Sequence, residues 1–262
     1  MSKATISHYP KDSAYRNAKL MPQIRAIKNN ELPYIEFLKT IEGEGPRVGT
    51  LIILARLAGC PIGCNSCDTP YSFPTKNRKR MSVQNFITEV SKEAKDFKVR
   101  EISITGGEPM MYPKQMEKVG RALQQKGFTV TMETSGLIID SKVFAAFNHV
   151  FIDIKTPSSG VIVPQKTLDA ALQAATLHAG VHFKAIVANK EDLQWIDMNL
   201  SLFFSPDLTN RKLLTLTPCA PLTFTTQSLI QEYKRVYQLI MDWENHSSVT
   251  VVPQLHKILE LP

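Results

Sequence analysis

Two kinds of run alternate along the chain. Six short segments read as strands: Leu51–Leu57, Glu101–Thr105, Thr129–Glu133, Val150–Ile154, His182–Val187 and Leu213–Thr217. Most read as near-continuous apolar runs, the pattern expected of strands covered on both faces. Helical patterns fill the gaps. After Ser82, a residue suited to an N-cap, Val83, Phe86, Ile87 and Val90 follow the i, i+3, i+4, i+7 rule. Pro113 opens a second helix at a tolerated first-turn position, and Gly127 can close it. Leu168–Leu177, Glu191–Leu202 and Thr226–Trp243 supply three more. The alternation predicts an α/β fold with a parallel sheet covered by helices. Six strand–helix units favour a partial (β/α)6 TIM-like barrel over a doubly wound sheet, though periodicity alone does not separate the two.

The length, 262 residues, suits one large domain with a substantial core. Residues 1–33 lie outside the alternation and read as an N-terminal extension, leaving 34–262 as the domain. No apolar stretch is long enough to cross a bilayer, so no membrane association is expected. The first residues lack the apolar core of a secretory signal, and Asp12 argues against a transit peptide. Of four cysteines three share one loop, which is no disulfide framework; a reducing cytoplasm is the expected location. The formal net charge of +7 raises nucleic acid as a partner. Basic residues are spread along predicted helices, however, and the densest run, Lys76–Arg80, reads as a solvated loop. Anionic small molecules suit the charge equally well, and direct nucleic-acid binding is not expected.

The candidate chemistry is positional. Polar or glycine-rich sequence follows five of the six strands: a cysteine loop, Thr105-Gly106-Gly107-Glu108-Pro109, Glu133-Thr134-Ser135-Gly136, Asp153-Ile154-Lys155, and Thr217-Pro218-Cys219-Ala220. In parallel α/β folds such loops share one rim, where ligands bind. The cysteines, Cys60, Cys64 and Cys67, are spaced Cys-x3-Cys-x2-Cys. A 4Fe–4S cluster normally takes four thiolates, so a three-thiolate loop suggests one iron left open for another ligand. Zinc loops more often show paired Cys-x2-Cys units or a nearby His, and no His lies between Arg56 and Arg100.

The cysteine loop followed by Gly106-Gly107-Glu108-Pro109 resembles the radical S-adenosylmethionine (SAM) superfamily. Further blocks narrow the likeness: Thr40-Ile41-Glu42-Gly43-Glu44-Gly45, Arg56-Leu57-Ala58-Gly59-Cys60, Cys67-Asp68-Thr69, Glu133-Thr134-Ser135-Gly136 and Pro253-Gln254-Leu255-His256-Lys257. In that order, from about Tyr34 to Pro262, they resemble the 7-carboxy-7-deazaguanine synthase family. The resemblance implies contraction of 6-carboxy-5,6,7,8-tetrahydropterin to 7-carboxy-7-deazaguanine with loss of ammonia. SAM would bind the open iron and, on electron transfer from the cluster, give a 5′-deoxyadenosyl radical that takes a hydrogen from the pterin and later returns one.

Roles carried over by resemblance are as follows. Cys60, Cys64 and Cys67 would hold the cluster. Gly106, Gly107, Asp153, Ile154, Lys155, Thr217, Pro218, Cys219 and Ala220 would line the SAM side, Cys219 as a packed residue and not a fourth ligand. Thr69 would give its hydroxyl to Mg²⁺. Ile41, Glu42, Gly43, Arg56, Thr105 and the terminal carboxylate of Pro262 would hold the pterin, Arg56 through a bidentate fork. The bland alternative for Arg56 is a bridge to a structural carboxylate. An electron donor such as flavodoxin and a homodimer are implied as well. Two positions depart from the family: Glu42 stands where Gln is usual, and Ser66 where an aromatic is common beside the adenine, which shifts that packing toward Tyr71 or Phe73. An ionised Glu42 could only accept hydrogen bonds, whereas Gln also donates. The alternatives are a glycyl-radical-enzyme activase with the same cofactors, or a non-catalytic metal- or nucleic-acid-binding module.

Overall fold

The computed structural model describes residues 20–200 and 214–261. Within these, one nine-stranded sheet runs in the order β3-β1-β2-β4-β5-β6-β7-β8-β9 and does not close. The strands are β1 Glu31–Ile41, β2 Leu51–Leu57, β3 Lys79–Ser82, β4 Glu101–Gly106, β5 Thr129–Thr134, β6 His149–Ile154, β7 Val181–Val187, β8 Leu214–Pro218 and β9 Thr250–Val251. Those from β2 through β4 to β9 are parallel neighbours, whereas β1 pairs antiparallel with both β2 and β3. This is the expected partial barrel: the six predicted strands are β2 and β4 to β8, each within a residue or two of its expected bounds.

The helices are α1 Val83–Asp96, α2 Pro113–Gln125, α3 Ser141–Phe144, α4 Gln165–Leu177, α5 Lys190–Asn199, α6 Thr226–Met241 and α7 Leu255–Ile258. Ser82 caps α1 by accepting from the Asn85 amide, and Gly127 takes the positive φ that follows α2. The apolar stripe of α1, with Phe86, Ile87 and Val90 buried, packs on the sheet. Full burial of Phe86 contributes about 2–3 kcal/mol. The predicted end of α5 at Leu202 and the predicted start of β8 at Leu213 lie outside the described residues.

Three expectations are corrected. The strands are not apolar on both faces. Ile102, Ile104, Val130, Met132, Ile152, Phe183, Ala185, Leu214 and Leu216 join the main core. Their alternates, among them Ser103, Thr105, Glu133, Asp153 and Lys184, occupy the opposite face, the lumen, as the two-residue period requires. The basic run Lys76–Arg80 is not all loop, since Lys79 and Arg80 begin the edge strand β3. The boundary at residue 33 cuts through β1, and Leu20, Ile24, Ile27 and Leu32 belong to the same core as the barrel.

The hairpin loop between β1 and β2 turns back into the lumen. Its short 3-10 turn, Gly45–Arg47, touches β7 and β8. Arg47 pairs with Glu101 at 2.8 Å and reaches His149 at 3.3 Å, closing the lower end of the lumen. The positive φ of Gly45 turns the chain beside the Phe151 ring.

Candidate active site

A cavity of about 400 Å³ opens inside the barrel, within the size range of small-ligand sites. Of the residues singled out from sequence, Ile41, Glu42, Gly43, Arg56, Cys60, Cys64, Cys67, Thr69, Thr105, Gly106, Gly107, Asp153, Ile154 and Lys155 line it. Four of the five strand-end segments therefore converge. The fifth does not: Thr217, Pro218, Cys219 and Ala220 are absent from the lining. Thr217 is fully buried and Ala220 packs with Leu229 and Tyr233 in a separate small cluster. Cys219 hydrogen-bonds Ser66, which does line the cavity. Pro262 lies outside the described residues, next to Leu261, which does line the cavity.

The cysteine loop leaves β2 and is pinned at its base. The amides of Gly59 and Cys60 bond the carbonyls of Ser72 and Phe73 at 2.8 and 3.0 Å. All four cysteines are free thiols. Burial, with Glu108 adding to it, pushes the Cys60 thiol up to about 12; burial, with Asp68 adding, pushes Cys67 up to about 11. Cys60 and Cys67 are therefore held as neutral thiols in the metal-free loop, and a bound metal would supply the charge that turns them into thiolates. Three thiols of one loop facing one cavity fit an iron–sulfur cluster held at three corners.

The Gly106-Gly107-Glu108 turn is built against that loop. A Cβ on Gly107 would lie 2.5 Å from the Gly59 carbonyl oxygen, and one on Gly106 would lie 2.3 Å from the Leu57 nitrogen. Both glycines are required by this backbone contact as well as by their place in the cavity wall. Glu108 accepts from the Met110 amide (2.9 Å), the Thr134 hydroxyl (2.6 Å), and both the amide (2.8 Å) and hydroxyl (2.5 Å) of Ser135. It thus locks the end of β4 to the end of β5.

Deeper in the lumen the wall is charged. Lys184 Nζ lies 2.8 Å from both Glu44 Oε2 and Glu133 Oε2, and Lys155 lies 2.7 Å from Asp153. Burial opposes the Lys184 charge, but Glu133 and Glu44 outweigh it and hold the ammonium well above its ordinary value. Burial likewise opposes the Glu44 charge, and the Lys184 ammonium, helped by His256, brings that carboxyl down to about 2.

A segment from the far end of the chain completes the wall. Gln254 donates to Glu44 Oε1 at 2.6 Å, and the Leu255 amide donates to the Gly43 carbonyl at 2.9 Å. Lys257 Nζ and His256 Nε2 approach Asp68 Oδ2 at 3.4 and 3.8 Å. Gly43 has no room for a side chain, because a Cβ there would lie 2.0 Å from His256 Nδ1. Glu44, Asp68 and His256 are close enough to hold a cation, but Lys184 and Lys257 already balance the two carboxylates. Above them Arg56 gives its Nε to Glu36 at 2.9 Å, so the bridge foreseen as the bland reading is real. Among the described residues no hydrogen bond engages its two terminal nitrogens, and its guanidinium stands 5.9 Å over the Tyr71 ring. Thr69 Oγ1 lies 3.7 Å from Cys67 Sγ. Ser66, Tyr71 and Phe73 all line the cavity.

Comparison with known proteins agrees with this geometry. The family model described as the radical SAM superfamily matches residues 56–185, from the strand carrying the cysteine loop to β7. Residues 56–185 form a radical SAM domain. This radical SAM protein is 26% identical over 235 residues to a protein of Hyperthermus butylicus named 7-carboxy-7-deazaguanine synthase, covering 89% of this chain and 95% of that one. A protein of the same name from Methanothermobacter thermautotrophicus is 26% identical over 248 residues, covering 87% and 97%. The crystal structure of QueE from Escherichia coli superposes with a TM-score of 0.58 at 19% identity, over 92% of this chain and 98% of that one, and supports the fold.

Sequence reasoning on this radical SAM protein missed Lys184, Glu44 and the role of Glu108. Lys184 carried a usable signal: a lone lysine within the strand His182–Val187, alternating with apolar neighbours, points to a polar lumen. Glu108 carries no such signal beyond its place after Gly106-Gly107.

Proposed function

We propose that this protein converts 6-carboxy-5,6,7,8-tetrahydropterin to 7-carboxy-7-deazaguanine with loss of ammonia, a step toward 7-deazapurines such as queuosine. The observation carrying this reading is the meeting of three distant blocks around one cavity: the Thr40–Gly45 loop, the Cys60–Thr69 loop and the Pro253–Lys257 segment. The two full-length relatives carrying that activity in their names support it. A glycyl-radical activase accounts for the cysteine loop but gives no reason for Gln254, His256 and Lys257 in the wall.

Cys60, Cys64 and Cys67 would hold the 4Fe–4S cluster, and Gly106, Gly107, Asp153, Ile154 and Lys155 would border SAM. Bound together, the two supply a carbon-centred radical under reducing conditions. The chain's own residues do the rest. Arg56 offers its terminal nitrogens to a carboxylate, while Glu42, Gly43 and Thr105 border the ring. Glu44, Glu133 and Lys184 fix the charge of the floor. Thr69 would share Mg²⁺ with substrate oxygens, since that ion keeps several waters and needs few protein ligands. The reading extends to an electron donor such as a flavodoxin, a homodimer and a cytoplasmic setting. Among the described residues no helix is long and apolar enough to cross a membrane.

Anaerobically reconstituted protein, given SAM, a reductant, Mg²⁺ and the carboxytetrahydropterin, should release ammonia and the deazaguanine acid, detected by mass spectrometry. SAM cleavage without that product would reject the substrate. A Thr69→Ala protein that keeps its Mg²⁺ dependence would remove the metal assignment.

A further inference from the structure

Glu42 follows β1 and is fixed by its backbone: its amide donates to the Thr50 carbonyl at 2.7 Å and its carbonyl accepts from the Gly49 amide at 2.8 Å. Its side chain is in the cavity wall and the residue is only 4% exposed. Four groups face it: Glu133 from β5, Lys184 from β7, Glu44 from its own loop, and the Ser103 hydroxyl from β4. Lys184 is the one cation among them, and its short contacts go to Glu44 and Glu133. Among the described residues no ion pair includes Glu42, and the neighbouring Lys155 is paired with Asp153. Three carboxylates thus surround one ammonium in a buried space. Two can be charged at modest cost; a third charge would have only the Ser103 hydroxyl and no cation of its own, and a proton removes it.

We propose that Glu42 stands in the cavity as a neutral carboxylic acid, presenting one O–H donor and one C=O acceptor to the lactam edge of the bound heterocycle. This deepens the function proposed above and rests on it for the identity of the ligand. Burial first, and then the Glu133 charge, hold the Glu42 carboxyl well above the ordinary glutamate range, which agrees with the geometry. A protonated carboxyl has the donor–acceptor pattern of a side-chain amide, whereas an ionised one only accepts. A lactam offers an N–H beside a C=O, and the acid meets both at once. Glu42 therefore works as a glutamine would, and it adds what glutamine lacks: at alkaline pH it becomes a repulsive anion.

The acid is tested first without the ligand. Infrared spectra of the reconstituted protein at pH 7 should contain a protonated-carboxyl band that vanishes on raising the pH and is missing from Glu42→Gln. If wild type has no such band, the proposal is overturned, and the titration of wild type alone decides this even if the variant folds poorly. Calorimetric titration with the carboxytetrahydropterin then tests the contact. Glu42→Ala should weaken binding about tenfold or more, and Glu42→Gln should restore it and abolish the alkaline loss seen in wild type. A Glu42→Gln protein as weak as Glu42→Ala would overturn the donor–acceptor contact. Wild type that carries the band but does not bind the pterin would overturn the substrate reading, and the lactam contact with it, while leaving the buried acid established.

Discussion

The side-chain amide of Gln254 donates to Glu44 at 2.6 Å across 210 residues of sequence. Through it the α7 segment holds the loop that carries Glu42. The Gln254 oxygen also accepts from the Ala220 amide at 3.2 Å and from Lys257 at 3.1 Å. Gln254→Ala should cost about 1–3 kcal/mol, since it leaves the buried Ala220 amide without its acceptor and takes a donor from the buried Glu44. Hydrogen exchange at the Leu255 amide, bonded to Gly43, should speed up well before the sheet opens; unchanged protection there would deny that Gln254 anchors the segment.

Lys184→Met removes the only cation from between Glu44 and Glu133. Breaking a buried pair from one side typically costs about 3–5 kcal/mol. The pH dependence gives a second check. The Glu44 carboxyl is lowered to about 2, so in wild type its stabilising contribution is complete above about pH 4.5 and is lost as pH falls toward 2. In Lys184→Met that support is absent, and acid, by protonating the stranded carboxylates, should narrow the stability gap to wild type. Denaturation at pH 7 and pH 4 measures it; a gap that widens in acid contradicts the arrangement.

Glu108→Ala removes a carboxylate that satisfies four donors at once. About 3 kcal/mol of stability should go with it, together with the alignment of the β4 and β5 ends. Glu108→Gln should be only a partial repair, because its NH₂ faces hydroxyl and amide donors. Chemical denaturation of the three proteins should rank them wild type, Gln, Ala.

Cys60→Ser, Cys64→Ser and Cys67→Ser should each abolish the colour and the bound iron of reconstituted protein, while Cys219→Ser, whose side chain is outside the cavity lining, keeps both. Iron and sulfide analysis decides it. Loss of iron in Cys219→Ser alone would point to the wrong thiols.

Much of this was legible in the chain. The six parallel strands and the order of the loops followed from periodicity, and the cysteine loop declared itself by spacing. What stayed hidden has physical causes. β1 mixes Pro33, Glu36 and Lys39 with apolar residues because one edge of the sheet is antiparallel and partly exposed, so it does not read as a strand in the sequence. The lumen was overlooked because Lys184 and Glu133 sit among apolar neighbours that face the helices, and only the two-residue alternation separates them. The Thr217–Ala220 segment fits the strand-end rule in sequence yet misses the cavity, since the rule gives the end of the barrel and not the direction of each loop.

The division of each strand into an oily outer face and an ionic inner one has an evolutionary consequence. Outward positions answer to folding and inward ones to the ligand, so new specificities can arise without rebuilding the scaffold. The freedom is conditional. Charge inside this barrel is a closed sum, and descendants that exchange Lys184, Glu44 or Glu133 should do so in compensating pairs, one replacement licensing the next.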